Sequence, residues 1–179
     1  MRANIKKVLS LLIVLCLLAA YIQPAVFTVL AVGTPVCEIN SIGYDTFADA
    51  LAAVSTDETI RLLSNINYNS GVSINDMNIT FDLNGYTLNV INPNDTGAYL
   101  DQCGLYVSGV STVNITGTGE FNVQGNRYGV YATCLTAGDT NVTVTNASSP
   151  AGTGVYSDKA TVTVKNDINS GYEGAFANT

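Results

Sequence analysis

Four aromatic residues at regular spacing are the side chains of this chain best suited to act together: Tyr106, Tyr131, Tyr156 and Phe176. Each closes a glycine–apolar–aromatic triplet: Gly104-Leu105-Tyr106, Gly129-Val130-Tyr131, Gly154-Val155-Tyr156 and Gly174-Ala175-Phe176. The glycine-to-glycine intervals are 25, 25 and 20 residues. Neighbouring side chains of a strand point to opposite faces, so if Leu105, Val130, Val155 and Ala175 face a core, the rings beside them face out. A row of phenols offers flat faces to sugar rings and hydroxyls to sugar hydroxyls, which makes these four the candidate carbohydrate-binding residues. The competing use of the same row is structural, because like side chains on stacked strands pack on one another.

Material for catalysis is sparser. Hydrolysis of a glycosidic bond needs two closely placed carboxyl groups, one of them protonated near neutrality. The chain has no histidine. Its only adjacent acidic pair, Asp57-Glu58, lies in the polar cluster Ser55-Thr56-Asp57-Glu58, a solvated turn by composition. Arg127 and Lys159 are the only basic residues between Leu62 and Val164, and Arg127 sits in the turn-like Gly125-Asn126-Arg127. Asp95, Asp101 and Asp139 lack the regular acidic spacing of a calcium loop. No catalytic residue, metal site or cofactor is expected in this stretch.

The elements that would position the rings are short strands. Val113-Asn114-Ile115-Thr116, Asn141-Val142-Thr143-Val144 and Thr161-Val162-Thr163-Val164 alternate apolar with polar, as half-buried strands do. Strands are also expected over 59–63, 71–74, 79–83 and 86–91, with Asn84-Gly85 as a tight turn because both residues tolerate positive φ. In Ile79-Thr80-Phe81-Asp82-Leu83 the apolar residues point inward, which leaves Asp82 solvated. Asn65, Asn67 and Asn69 suit turns or a side-chain ladder. A period of 20 to 25 residues without helical spacing predicts a parallel β-solenoid of roughly five coils over 59–179. Ahead of it, Phe47, Ala50, Leu51 and Val54 fall on one helical face, and Thr46 with Asp49 forms a capping box. Residues 44–58 are therefore expected to cap the open first coil, after a linker and short strand at 32–43. The chain stops just after a fresh triplet, so a longer repeat protein is expected to continue beyond it.

Arg2, Lys6 and Lys7 followed by the apolar run 8–20 match a secretory signal, assigned to 1–31, and predict a secreted or cell-surface protein. Cys16 does not make a lipobox, because bulky Leu15 precedes it. Removing 1–31 leaves four basic against fourteen acidic residues, a net charge of −10. Such a chain is repelled by nucleic acid and by anionic lipid, which leaves membrane contact to the signal segment or a C-terminal anchor. Cys37, Cys103 and Cys134 permit one disulfide at most, and nothing in their placement indicates one. The sequons at Asn78, Asn94, Asn114, Asn141 and Asn146 are the Asn/Thr composition of turns and outward strand positions.

The order Cys37-Glu38-Ile39-Asn40, Tyr44-Asp45-Thr46-Phe47-Ala48-Asp49-Ala50, Thr59-Ile60-Arg61-Leu62-Leu63, then Ile79 to Leu88 through Asp82-Leu83-Asn84-Gly85-Tyr86-Thr87, resembles the start of pectin-lyase-like repeat proteins of bacterial surfaces. The resemblance spans about residues 37–179 and implies an all-β, right-handed parallel β-helix with three strands per coil. Members range from pectate lyases and polygalacturonases to surface proteins without known catalysis. The enzymes' paired aspartates, histidine motif and calcium-binding acids with a basic partner have no counterpart here. The sequence therefore favours a non-catalytic exported scaffold or adhesin that grips extracellular polysaccharide or host glycan along the Tyr face. The second reading is the N-terminal part of a polysaccharide lyase or glycoside hydrolase whose site lies elsewhere.

Overall fold

The computed structural model describes residues 33–135 and 139–178. The signal-like segment and Cys16 lie outside the described residues. Two strands, β1 (Cys37–Ile39) and β2 (Ile42–Tyr44), make an antiparallel hairpin whose tip residues, Asn40 and Ser41, both have positive φ. Helix α1 (Phe47–Ala53) follows, and its Thr46 cap accepts a hydrogen bond from the Asp49 N–H at 3.1 Å while donating to the Asp49 carboxylate at 2.6 Å. Seven residues make too short a helix to persist alone, so packing must hold it. Phe47, Ala50 and Val54 are buried and Leu51 half-buried, which is the face expected from the spacing. The Phe47 ring meets Tyr68 edge-on at 5.2 Å and Phe81 at 5.9 Å, and Phe81 in turn meets Phe121 at 5.1 Å.

The strands continue as β3 (Glu58–Leu62), β4 (Ile66–Tyr68), β5 (Val72–Asn75), β6 (Asn78–Asp82), β7 (Thr87–Asn92) and β8 (Cys103–Ser108). They are followed by β9 (Thr112–Thr116), β10 (Glu120–Gly125), β11 (Tyr128–Thr133), β12 (Asn141–Val144) and β13 (Asn146–Ser149). The last are β14 (Thr153–Asp158), β15 (Thr161–Val164), β16 (Ile168–Ser170) and β17 (Ala175–Asn178). The structure is all-β in character, in three sheets. Sheet A runs β15-β12-β9-β6-β3-β1-β2, sheet B β16-β13-β10-β7-β4, and sheet C β17-β14-β11-β8-β5. From β6 onward each strand joins the sheet of the strand three places earlier, and all pairing among β3 to β17 is parallel. Among the described strands the antiparallel pairs are those that β1 makes, with β2 on one side and β3 on the other.

In-register pairing puts like over like in the core. Ile60, Phe81 and Ile115 stack in sheet A, Ile66, Leu88 and Phe121 in sheet B, and Val72, Leu105, Val130 and Val155 in sheet C, all of them buried. Asn84-Gly85 forms the expected tight turn, with φ of 50° and 87° and a 2.7 Å bond from the Tyr86 N–H to the Leu83 carbonyl. It joins strands of different sheets, so it makes a corner and not a hairpin. Asp82 departs from expectation. It is half-buried, pairs with Arg61 at 3.4 Å and accepts from the Asn84 N–H, while Arg61 also reaches Glu38 at 3.3 Å. The exposed guanidinium limits each such pair to about 1 kcal/mol or less.

The triplet glycines have a steric cause. A Cβ on Gly104 would lie 2.7 Å from the Gln124 backbone, and one on Gly129 would lie 2.5 Å from the Gly154 carbonyl oxygen and 2.7 Å from that of Ser148. Sheets B and C thus approach too closely at this corner for any side chain. Gly174 has nothing within 4 Å of that position.

Sheet B holds most of what the alternation did not reveal, namely β4, β10, β13 and β16. One of its outward rows is made of asparagines. Asn89 donates to Asn67 at 2.8 Å, Asn122 to Asn89 at 3.0 Å and Asn146 to Asn122 at 2.7 Å. Asn67 therefore belongs to a ladder within a strand, which satisfies the amides of a residue type otherwise poor in sheets.

Candidate functional site

All four predicted rings lie on the outward face of sheet C. Register pairs Ser73 with Tyr106, Tyr106 with Tyr131, Tyr131 with Tyr156, and Tyr156 with Phe176. The three tyrosines are half-buried, and Phe176 is 40% exposed. Tyr131 and Tyr156 stack at 4.7 Å and 13°, and Tyr156 and Phe176 at 5.0 Å and 12°. These distances are close to the spacing of paired strands, so the backbone ladder itself sets the stack. The faces of Tyr131 and Tyr156 are consequently covered by their neighbours, and Tyr128 adds an edge contact to each at 5.1 and 5.4 Å. Only the end rings keep a face that no ring covers. Tyr106 is tilted 53° from Tyr131 at 5.6 Å, and on its other side the in-register residue is the small Ser73.

A cleft opens at each end of the column. One of about 800 Å³ is walled by Asn69, Ser73, Asn94, Asp95, Asp101 and Tyr106. The other, of about 370 Å³, takes in Arg127, Tyr128, Tyr156, Tyr172, Glu173 and Phe176. Both are shaped by connections from sheet B to sheet C. The Arg127 guanidinium carbon lies 4.4 Å from the centre of the Tyr99 ring and 5.6 Å from that of Tyr128, which gathers this basic side chain onto aromatic surface.

Burial dominates the electrostatics of the thiols. Cys103 borders the larger cleft, but burial, with Asp101 adding and Arg127 opposing, pushes its thiol up to about 12, and it donates to the Tyr99 carbonyl at 3.3 Å. A thiol so protonated is a poor nucleophile. Burial also raises the Cys37 thiol to about 11, and Cys37, Cys103 and Cys134 are all free. The Tyr131 phenol is raised above its ordinary value, first by burial and then by Tyr156, Tyr128, Asp158 and Tyr106. Among the described residues, no three His, Cys, Asp or Glu side chains group as metal ligands do. Asp57 in the turn after α1 and Glu58 at the start of β3 line neither cleft, and Glu58 accepts from the Ser55 N–H and from Asn40.

Sequence reasoning missed Tyr99, Tyr128, Tyr172 and Glu173, because none belongs to the triplet. Connection length is the signal that could have found Tyr99. Ten residues, 93–102, separate β7 from β8, against two, 126 and 127, between β10 and β11. No protein-family model, curated protein or solved structure matches the chain.

Proposed function

We propose that the chain is an exported, non-catalytic surface module of the pectin-lyase-like kind, a right-handed parallel β-helix of about five coils that binds carbohydrate beside the sheet C rings. The observation that carries this reading is the in-register column Tyr106–Tyr131–Tyr156–Phe176 with a cleft at either end. The fixed rotation of β3 to β17 through three parallel sheets supports the solenoid. Export rests on the basic and apolar pattern of the first 31 residues. In this reading the stacked middle rings hold the ladder together and their hydroxyl edges line the face, while the end rings take the sugar. The test is retention on insoluble polysaccharides alongside an assay for new reducing ends and unsaturated product. Retention without bond cleavage is the expected result. Cleavage would replace this reading with a lyase or hydrolase, and absence of retention on every polysaccharide would remove the binding role.

A further inference from the structure

The connection between β7 and β8 builds a cleft that the ring column only borders. We propose that this cleft, about 800 Å³, is the seat for an uncharged, hydroxyl-rich oligosaccharide and excludes sugar acids; the proposal rests on the carbohydrate-binding reading above.

Its volume falls within the range of small-ligand sites. Tyr106 brings the one column ring in its wall, and Ser73 beside it leaves that ring a face on which a sugar can lie. Beside the apolar Val72, Pro93 and Leu100, the polar groups of the wall are amide, hydroxyl and carboxylate, among them Asn69, Asn94, Asp95 and Asp101, with no lysine or arginine. Carboxylates and amides accept and donate to sugar hydroxyls, whereas Asp95 and Asp101 repel a uronate. Arg127, whose charge is felt at Cys103 on this wall, lines the other cleft with its guanidinium held over Tyr99 and Tyr128, and so offsets them only in part.

The wall is also pre-organised. The Asn92 amide donates to the carbonyls of Asp101 and Cys103 at 2.9 and 2.7 Å, and its oxygen accepts from the Asn94 N–H at 3.1 Å. The Asn94 amide donates to the Asp101 carbonyl at 3.0 Å, and the Asp101 carboxylate accepts from the Ala98 N–H at 3.1 Å. Gly71 lets this bracket close, since a Cβ there would lie 2.6 Å from the Cys103 carbonyl oxygen and 2.8 Å from the Asn92 amide nitrogen. A ten-residue loop fixed by its own side chains has already lost the freedom that binding would otherwise cost it.

The experiment is calorimetric titration of the full chain with neutral oligosaccharides (gluco-, manno-, galacto- and xylo-series) and with oligouronates. A neutral series is expected to bind and the oligouronates to bind at least tenfold more weakly. Tyr106→Ala and Ser73→Trp are each expected to weaken the neutral ligand tenfold or more, and Tyr156→Ala less than twofold. Ser73 is exposed, so filling the cleft from that position leaves the core untouched and decides the matter should Tyr106→Ala fail to fold. Asp95→Lys is expected to bring oligouronate affinity close to that for the neutral ligand. Equal binding of neutral and acidic sugars by the unmodified chain would overturn the proposal. So would neutral binding that Tyr156→Ala abolishes and Ser73→Trp spares, which moves the seat to the smaller cleft and leaves the carbohydrate reading standing. Failure to bind any sugar of either kind overturns both.

Discussion

Replacing Gly129 by alanine should damage the fold far more than the same change at Gly174, although both open the same triplet. A Cβ at 129 would stand 2.5 Å from the Gly154 carbonyl oxygen, 2.7 Å from the Ser148 oxygen and 2.8 Å from the Ser148 nitrogen. Reaching an ordinary contact of 3.4 Å requires the Gly154 carbonyl to retreat by about 0.9 Å. That carbonyl belongs to β14, the parallel partner of β11, so the shift pulls against the sheet C ladder as well as the corner with sheet B. Overpacking of this kind costs about 3 kcal/mol. Alanine restricts the unfolded chain more than glycine does, which offsets about 0.4–1 kcal/mol where no strain arises. The net loss at 129 is then about 2–3 kcal/mol, whereas Gly174→Ala, with nothing within 4 Å, should be neutral or slightly stabilising. At roughly 2–4 °C per kcal/mol, Gly129→Ala should lower Tm by about 4–12 °C. Thermal unfolding followed by circular dichroism measures both. Equal Tm values for the two variants would refute the steric account of the triplet.

Three further outcomes follow from the packing. Phe47→Ala removes the ring through which α1 meets Tyr68 and Phe81 and should cost about 3–5 kcal/mol in chemical unfolding. Asn122→Ala breaks the ladder on both sides, at Asn89 and Asn146, and should cost about 1–2 kcal/mol, read as a lower denaturant midpoint at unchanged m-value. Tyr131 titrates above its ordinary value in the folded protein, so the unfolded chain releases this proton first as pH rises. Its contribution is whole below about pH 10 and is lost as pH climbs from there through the folded-state pKa. Phenolate absorbance of the native protein should include a late-titrating component from Tyr131, which Tyr131→Phe should remove.

Strand positions in sheets A and C were legible because their inward residues are β-branched or large and their outward residues polar, as in Thr161-Val162-Thr163-Val164. Sheet B was not. In Asn146–Ser149 the inward residues are Ala147 and Ser149, too small or too polar to mark a period of two. The ladder asparagines that make such a strand viable bond to residues 22 to 33 positions away, a relation no local window contains. Asp82 was misjudged for a related reason. Alternation gives the side of the sheet on which a residue lies, but the partner there, Arg61, arrives from the neighbouring strand.

By itself, then, the sequence determined the all-β class, the α1 face and its cap, the Asn84-Gly85 turn and the outward direction of the rings. Each of these depends on residues a few positions apart and on side-chain alternation, which are local properties of the chain. Tertiary structure alone decided which ring faces remain open, since that depends on what the next strand places 4.7 to 5.6 Å away. It also turned the glycines from markers of a repeat into points where two sheets touch. The 93–102 loop became a cleft only when Asn92 and Asn94 bent it back onto Asp101 beside Tyr106, a residue of another strand.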